Sequence, residues 1–158
     1  MVSMEKKFMQ RAIELAQSNI TKLNGGPFGA VIVKDGKIIG EGCNMVIAHN
    51  DPTAHAEIIA IRKACKNLET FQLENCEIYT SCEPCPMCLG AIYWARPHKI
   101  YYAATRAEAE QADFDDSFIY KEVSLPINQR KIPTVQLMKD EAAAVFKEWN
   151  SQNLKIDY

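Results

Sequence analysis

Two short motifs place metal-ligating side chains at the starts of two helices, and this pairing constrains the fold more than any other feature of the sequence. His55-Ala-Glu57 lies at the start of one predicted helix, and Pro84-Cys-Pro-Met-Cys88 lies at the start of another. Cys85 and Cys88 are three residues apart, so within a first helical turn their sulfur atoms face one side. If these cysteines and His55 bind one ion, the fold must bring the two helix starts together.

The chemistry of these three side chains favours zinc. Thiolate and imidazole groups are preferred zinc ligands, and the partial positive charge of a helix N-terminus helps to keep cysteines deprotonated. Three protein ligands leave the fourth tetrahedral position to water, which is typical of catalytic rather than structural zinc. An ion held in this way lowers the pKa of water towards neutrality. The sequence therefore predicts one catalytic zinc ion per chain, bound by His55, Cys85 and Cys88.

Glu57 is predicted to move protons rather than to bind the metal. Residues two apart lie on different sides of a regular helix, so Glu57 and His55 are not expected to be equivalent ligands. At the first turn, however, the carboxylate of Glu57 can approach the water from the side. A His-x-Glu motif followed by Pro-Cys-x-x-Cys is typical of zinc-dependent nucleobase deaminases, in which the glutamate acts as general acid and base.

A second Cys-x-x-Cys pair, formed by Cys82 and Cys85, leaves a structural zinc module as an alternative. A fourth sulfur ligand would close the site to water. Cys82 precedes Pro84 in the predicted turn between strand and helix, so we expect its thiol to point elsewhere and to pack as a small apolar group. The same packing role is predicted for Cys43, Cys65 and Cys76, and His49 and His98 are predicted to be solvated loop residues.

Alternating strands and helices predict an α/β layered sheet. An apolar stripe at helical spacing predicts a first helix, and two β-branched runs on either side of Asp35-Gly36 predict a hairpin. The later elements predicted are a helix from about Pro52 to Lys66, a strand at 76–80, a helix from Pro84 to Ala95, a strand at 99–104, a loop to Asp116, a strand at Thr134–Leu137 and a last helix from about Asp140.

Length and composition limit the function classes. A chain of 158 residues is long enough for one domain, and we expect a single domain over residues 1–158. The sequence has no apolar run of the roughly 18 residues that a membrane span needs, and its N-terminal segment carries charges where a signal peptide is apolar. We therefore expect a cytoplasmic protein with reduced cysteines. A formal charge of −2 disfavours nucleic acid as a partner.

The sequence resembles the cytidine deaminase superfamily over nearly the whole chain, and the resemblance includes four motif-bearing runs. The runs are Gly25–Gly36, Asn50–Glu57, Thr80–Pro97 and Phe114–Lys121. The first three are shared in outline with cytosine deaminases and transfer-RNA adenosine deaminases. The last run, Phe-Asp-Asp-Ser-Phe-Ile-Tyr-Lys, and a C-terminal tyrosine are similar to the branch that deaminates guanine.

The resemblance implies a three-layer α/β/α fold with a five-stranded mixed sheet between helices. It also implies a homodimer that converts guanine to xanthine and ammonia. By position, Phe28, Asn44, Asp116 and Tyr158 would hold the purine. We expect the final residues, Lys155–Tyr158, to act as a lid over the purine, and the C-terminal tail from about residue 139 to 158 either to stay on its own chain or to be exchanged with the dimer partner.

Other roles stay open for these residues and for the chain. Phe28 is compatible with a core position, Asn44 with a turn cap and Asp116 with a solvated loop. A transfer-RNA adenosine deaminase of the same fold is the nearest alternative function, and a cytosine deaminase is another. An enzyme that acts on transfer RNA should carry clustered basic residues near its C-terminus, whereas Lys147 and Lys155 are interspersed with acidic residues.

Overall fold

The computed structural model describes residues 3–156, and these divide at Asp116 into two compact units. The first unit extends to Asp116 and contains the sheet and the predicted zinc ligands. Its elements are α1 (Met4–Lys22), β1 (Gly29–Lys34), β2 (Lys37–Cys43), α2 (Val46–His49), α3 (Ala56–Leu68), β3 (Cys76–Cys82), α4 (Pro86–Ala95), β4 (Lys99–Ala104) and α5 (Arg106–Gln111).

The sheet is mixed and has the strand order β2-β1-β3-β4. Strand β1 pairs antiparallel with both β2 and β3, and β3 pairs parallel with β4. The predicted hairpin is confirmed, because β1 and β2 flank Asp35 and Gly36, which both adopt positive φ angles of 48° and 73°. Two positive φ angles are the signature of the type I′ turn that suits the twist of a hairpin.

Helices cover both faces of this sheet, as the three-layer prediction requires. Along β1, Ala30 and Ile32 join the buried cluster that includes residues of α3 and α4. Val31 and Val33 point to the opposite face and pack with Phe8 of α1 and with Tyr79. This alternation follows from the two-residue period of a strand, and it buries β1 on both faces.

Small residues let helix α3 lie directly against the edge strand β2. A Cβ atom added to Gly42 would lie 2.1 Å from the backbone oxygen of Ala56, the first residue of α3. Ala60 and Ala64 continue the same face of the helix and are fully buried. This close packing fixes the start of α3, and therefore the residues next to it, His55 and Glu57, relative to the sheet.

The prediction of a fifth strand is wrong for the described residues, which contain four strands. Thr134–Leu137 has no regular secondary structure. Val135 and Leu137, which would share one face of a strand, are 75% and 79% exposed, and Thr134 and Gln136 on the other face are exposed as well. A strand forms only where another strand pairs its backbone groups, and the sequence pattern of this segment does not supply that partner.

Two helix predictions also differ from the structure. Helix α3 begins at Ala56 rather than near Pro52, because the Asp51 side chain accepts hydrogen bonds from the backbone N–H and the hydroxyl of Thr53 and holds a turn there. The predicted loop before Asp116 contains α5, which starts with a capping box between Thr105 and Glu108. This motif satisfies free N–H groups of a first helical turn and stabilises a short helix.

The second unit, from Ser117 onward, contains α6 (Ser117–Ser124), a 3₁₀ turn (Ile127–Gln129) and α7 (Lys139–Ser151). The predicted last helix is therefore confirmed. Several large apolar side chains of this unit are more than half exposed, among them Val123, Ile132, Val145, Phe146 and Leu154. No helix in residues 3–156 is long and apolar enough to cross a membrane.

Candidate metal centre and active site

His55, Cys85 and Cys88 come together as predicted, with their ligand atoms within 4.8 Å of one another. The Nδ1 atom of His55 lies 3.6 Å from the Sγ atom of Cys85 and 3.4 Å from that of Cys88. Two thiols and one imidazole are a donor set that zinc prefers, and three ligands leave one tetrahedral position for water. The three residues therefore fit a zinc ion of the catalytic type.

Local backbone geometry explains how these side chains converge. His55 is the N-cap residue of α3, and Cys85 is the N-cap residue of α4, both with extended backbone. Pro86 occupies the first turn of α4, where its missing N–H costs no hydrogen bond. Cys85 precedes α4 and Cys88 is its third residue, so the two side chains lie three residues apart on the same side of the first turn.

Charges and hydrogen bonds around the two thiols favour a thiolate at Cys85. The hydrogen bond from the Cys88 thiol is the main reason that the pKa of Cys85 falls to about 4, and His55 and the backbone N–H of Cys88 lower it further. The same contact and burial raise the pKa of Cys88. The hydrogen bond to Cys85 also raises the pKa of His55. One backbone N–H of the first turn of α4 is thus among the groups that lower the pKa of Cys85.

Cys82 does not join this cluster, as expected. It is the last residue of β3 rather than part of the following turn, and its Sγ atom lies 3.5 Å from the backbone oxygen of Thr105. Burial raises the pKa of the Cys82 thiol to about 11. Cys82 is not among the residues whose ligand atoms lie within 4.8 Å of one another. Within residues 3–156, the cluster therefore lacks the fourth ligand that a structural zinc module would need.

Glu57 lies beside the three ligands. The metal-binding cluster found in residues 3–156 consists of His55, Cys85 and Cys88 and does not include it. It is in the first turn of α3, and only 8% of it is exposed. Burial raises the pKa of its carboxyl group, and interactions with Cys85, Cys88 and His55 also act on it. The carboxyl group therefore lies within interaction range of all three ligands, in a setting where it readily holds a proton.

Asn44 directly follows β2 and is buried beside the turn at 24–28. Its Oδ1 atom accepts a hydrogen bond of 3.1 Å from the backbone N–H of Val46. Since a backbone N–H can only donate, this contact identifies the oxygen of the carboxamide. The backbone N–H of Asn44 donates a hydrogen bond to the backbone oxygen of Phe28, so these two predicted purine-binding residues are directly linked.

Phe28 contacts Phe114, an aromatic residue that the sequence analysis did not select and that lies two residues before Asp116. The rings of Phe28 and Phe114 meet edge to face at 4.9 Å. Asp116 follows Phe114 by two residues and is partly buried. Burial and the charge of Cys85 raise the pKa of its carboxyl group, and Arg106 only partly opposes this rise. The sequence signal for Phe114 is its place in the run Phe114–Lys121, which also contains Asp116. Tyr158, the fourth predicted purine ligand, lies outside the described residues.

Comparison with known proteins decides the family. The model for the cytidine and deoxycytidylate deaminase zinc-binding region matches residues 2–104. The chain belongs to this deaminase family. The predicted resemblance is thereby confirmed, and so is the zinc site, because the matched region contains all three ligands.

Relatives within this deaminase family differ in how much of the chain they match. Guanine deaminase of Bacillus subtilis (strain 168) is 56% identical over 151 residues, which cover 96% of this chain and 97% of that protein. The X-ray structure of guanine deaminase from Bacillus subtilis superposes with a TM-score of 0.94 over 97% of this chain and 98% of that chain.

Two other relatives are more distant. A solved structure in complex with 2,6-diaminopurine is 32% identical, has a TM-score of 0.68, and covers 100% of this chain and 87% of that chain. The tRNA-specific adenosine deaminase of Haemophilus influenzae is 45% identical over 102 residues, which are 64% of this chain and 58% of that protein. Its similarity is therefore confined to part of the chain.

Proposed function

We propose that this protein deaminates guanine hydrolytically to xanthine and ammonia. The observation that carries the proposal is the 56% identity to the Bacillus subtilis guanine deaminase over nearly the whole length of both chains. That alignment extends through residues of the second unit, beyond the region shared with transfer-RNA adenosine deaminases. The His55, Cys85 and Cys88 site and the adjacent Glu57 supply the required chemistry.

Each part of the site has a role in this reaction. When bound, zinc supplies Lewis-acid chemistry and lowers the pKa of water to the neutral range. Glu57 takes one proton from the water that adds to the amine-bearing ring carbon and delivers it to a ring nitrogen. It then mediates proton transfer to the exocyclic amine, so that the C–N bond breaks and ammonia leaves. Burial, which raises the pKa of Glu57, suits a carboxyl group that alternately accepts and donates a proton.

The purine would be held by Phe28, Asn44, Asp116 and Tyr158. The ring of Phe28 offers a face for the base, and the carboxamide of Asn44 offers a donor, because its oxygen already accepts from Val46. Asp116 can accept from N–H groups of guanine, which a pyrimidine does not present in the same arrangement. The bound 2,6-diaminopurine in a related structure supports a purine as the substrate class.

The apolar surface that each unit exposes supports a homodimer as the working form of the protein. Within the first unit, Tyr93 and Trp94 of α4 are 73% and 65% exposed. Within the second unit, Phe146 and Leu154 are 71% and 92% exposed. Large exposed apolar patches commonly mark protein interfaces. We propose that a second copy of the chain covers them and that the tail, from about residue 139 to 158, closes over the purine.

A comparison of initial rates of ammonia release tests this function. The zinc-loaded chain is given guanine, cytosine, adenosine and a transfer-RNA anticodon stem in parallel. We expect guanine to have the highest kcat/KM by at least about 100-fold, because a site that hydrogen-bonds a base rejects analogues lacking those groups. Preference for the anticodon stem would instead identify a transfer-RNA adenosine deaminase. The net charge of −2 favours a free base over a nucleic acid as the substrate. The need for reduced cysteines in the metal site favours the cytoplasm as the location.

A further inference from the structure

Asn19, near the end of α1, is fully buried and links two segments of the candidate purine site. Its Nδ2 atom donates hydrogen bonds of 2.8 Å to the backbone oxygen of Gly26 and of 2.8 Å to that of Asn44. Because both partners are carbonyl oxygens, the group facing them must be the amide nitrogen. One side chain thus holds the turn at 24–28 against the residue that follows β2.

The other half of this carboxamide has no matching partner. The Oδ1 atom of Asn19 is buried, and no donor within residues 3–156 reaches it. A buried acceptor without a hydrogen bond costs stability, so an asparagine at this position is not explained by packing alone. The carboxamide of Asn19 instead contributes the two N–H donors of Nδ2, which hold the backbone oxygens of Gly26 and Asn44 at a fixed spacing.

Those carbonyl groups control the placement of Phe28 and Asn44. The backbone oxygen of Gly26 also accepts from the N–H of Phe28 at 2.9 Å, and the oxygen of Phe28 accepts from the N–H of Asn44 at 3.1 Å. The turn lies so close that a Cβ atom added to Gly25 would be 2.0 Å from Oδ1 of Asn44. A shift of the turn would therefore displace the Asn44 side chain directly.

We infer that Asn19 is a positioning residue that fixes Asn44 and Phe28 for purine binding before the substrate arrives. The inference rests on the proposed function, since it assumes that these two residues contact the base. Preformed geometry lowers the cost of ordering the site when the base binds. Asn19 itself lies behind the backbone of the pocket and acts through the two carbonyl groups that it holds.

Steady-state guanine deamination by Asn19→Ala and Gly25→Ala tests the inference. We expect each variant to retain about one zinc per chain and to raise KM by about fivefold or more, with a smaller effect on kcat, as the loss of a fixed hydrogen-bonding group predicts. Gly25 does not adopt a positive φ, and an added Cβ atom would lie 2.0 Å from Oδ1 of Asn44 and 3.0 Å from its backbone oxygen, so Gly25→Ala displaces Asn44 directly and shows what that displacement costs. If Asn19→Ala does not fold, Asn19→Leu, which removes both donors and keeps a branched side chain, decides the outcome.

A double-mutant cycle distinguishes positioning from general destabilisation. In an Asn44→Ala background, Asn19→Ala should raise KM by less than about twofold, because coupled residues are not additive. Ala12→Gly is the matched control, since it weakens α1 at another buried position and should leave KM unchanged. Unchanged KM in a folded Asn19→Ala or Asn19→Leu variant, while Asn44→Ala raises it, overturns the inference. Absence of guanine turnover in the wild-type chain, or unchanged KM in Asn44→Ala, instead overturns the proposed function or its pocket.

Discussion

His55 and Cys88 lie at the starts of different helices, yet the Nδ1 atom of His55 is only 3.4 Å from the Sγ atom of Cys88. The tertiary fold alone brings these two ligands together, because α3, β3 and the loops that follow them separate the two residues along the chain. An ion that binds only this folded arrangement stabilises it relative to the unfolded chain. Zinc should therefore contribute to stability as well as to catalysis.

Removal of zinc by a chelator is expected to lower the thermal unfolding midpoint by about 5 °C or more, the shift that corresponds to about 2 kcal/mol in a chain of this size. Scanning calorimetry before and after chelation measures the shift. The Cys88→Ser variant serves as the control and should respond much less to the chelator. An unchanged midpoint in protein shown to be free of zinc would contradict this expectation.

Cys82→Ala should keep both zinc and guanine turnover. The thiol contacts the backbone oxygen of Thr105 and is not one of the three ligands, so its loss should cost only about 1 kcal/mol of stability. Metal analysis and initial rates test this variant against Cys85→Ala, which should lose zinc. Loss of zinc from Cys82→Ala would mean that the site has four sulfur and nitrogen ligands and is structural.

The ligand triad and the hairpin could be predicted because both depend on local chemistry. Cys85 and Cys88 share one helical turn, and Asp35-Gly36 favours a specific turn type. The segment Thr134–Leu137 could not be assigned in the same way, because alternation alone does not supply a pairing partner. The acidic composition of the α5 segment favours a loop, whereas the capping box between Thr105 and Glu108 is the local signal for a helix. Asn19 gave no signal at all, since its role depends on carbonyl groups brought near it by the fold.

The ion pair between Arg11 and Glu41 should make stability depend on pH in the acid range. Arg11 donates two hydrogen bonds of 2.7 and 2.8 Å to the Glu41 carboxylate and lowers its pKa below 4.5. A carboxylate with a lowered folded-state pKa stabilises the protein fully above its unfolded pKa, and this contribution disappears as the pH falls through the folded pKa. The difference in unfolding midpoint between wild type and Glu41→Gln should therefore be present at pH 7, decrease as the pH falls below the ordinary pKa of a glutamate, and disappear once the folded-state carboxylate is protonated. A difference that persists at such low pH would contradict the assignment.

Asp116→Ala and deletion of Asn153–Tyr158 should each reduce guanine kcat/KM by at least about tenfold, which corresponds to about 1.4 kcal/mol of transition-state stabilisation. Zinc content and folding should be nearly unchanged, because neither segment contains a metal ligand. Asp115→Ala is the matched control, because Asp115 is the exposed neighbour of Asp116 and is not assigned to the purine site. If guanine kinetics are unchanged in both the Asp116 variant and the deletion, selectivity resides in the pocket around Phe28 and Asn44.

The most direct test of zinc-dependent guanine deamination with Glu57 as the proton carrier is the parallel measurement of zinc content and guanine turnover in Glu57→Gln. Glutamine keeps the shape of the side chain but cannot carry the proton, and removal of a general acid and base typically slows a reaction by about 10²–10⁴-fold. We predict about one zinc ion per chain, as in wild type, together with a loss of kcat in that range. Near-normal turnover, or loss of the metal with the carboxylate, would contradict the central role assigned to Glu57.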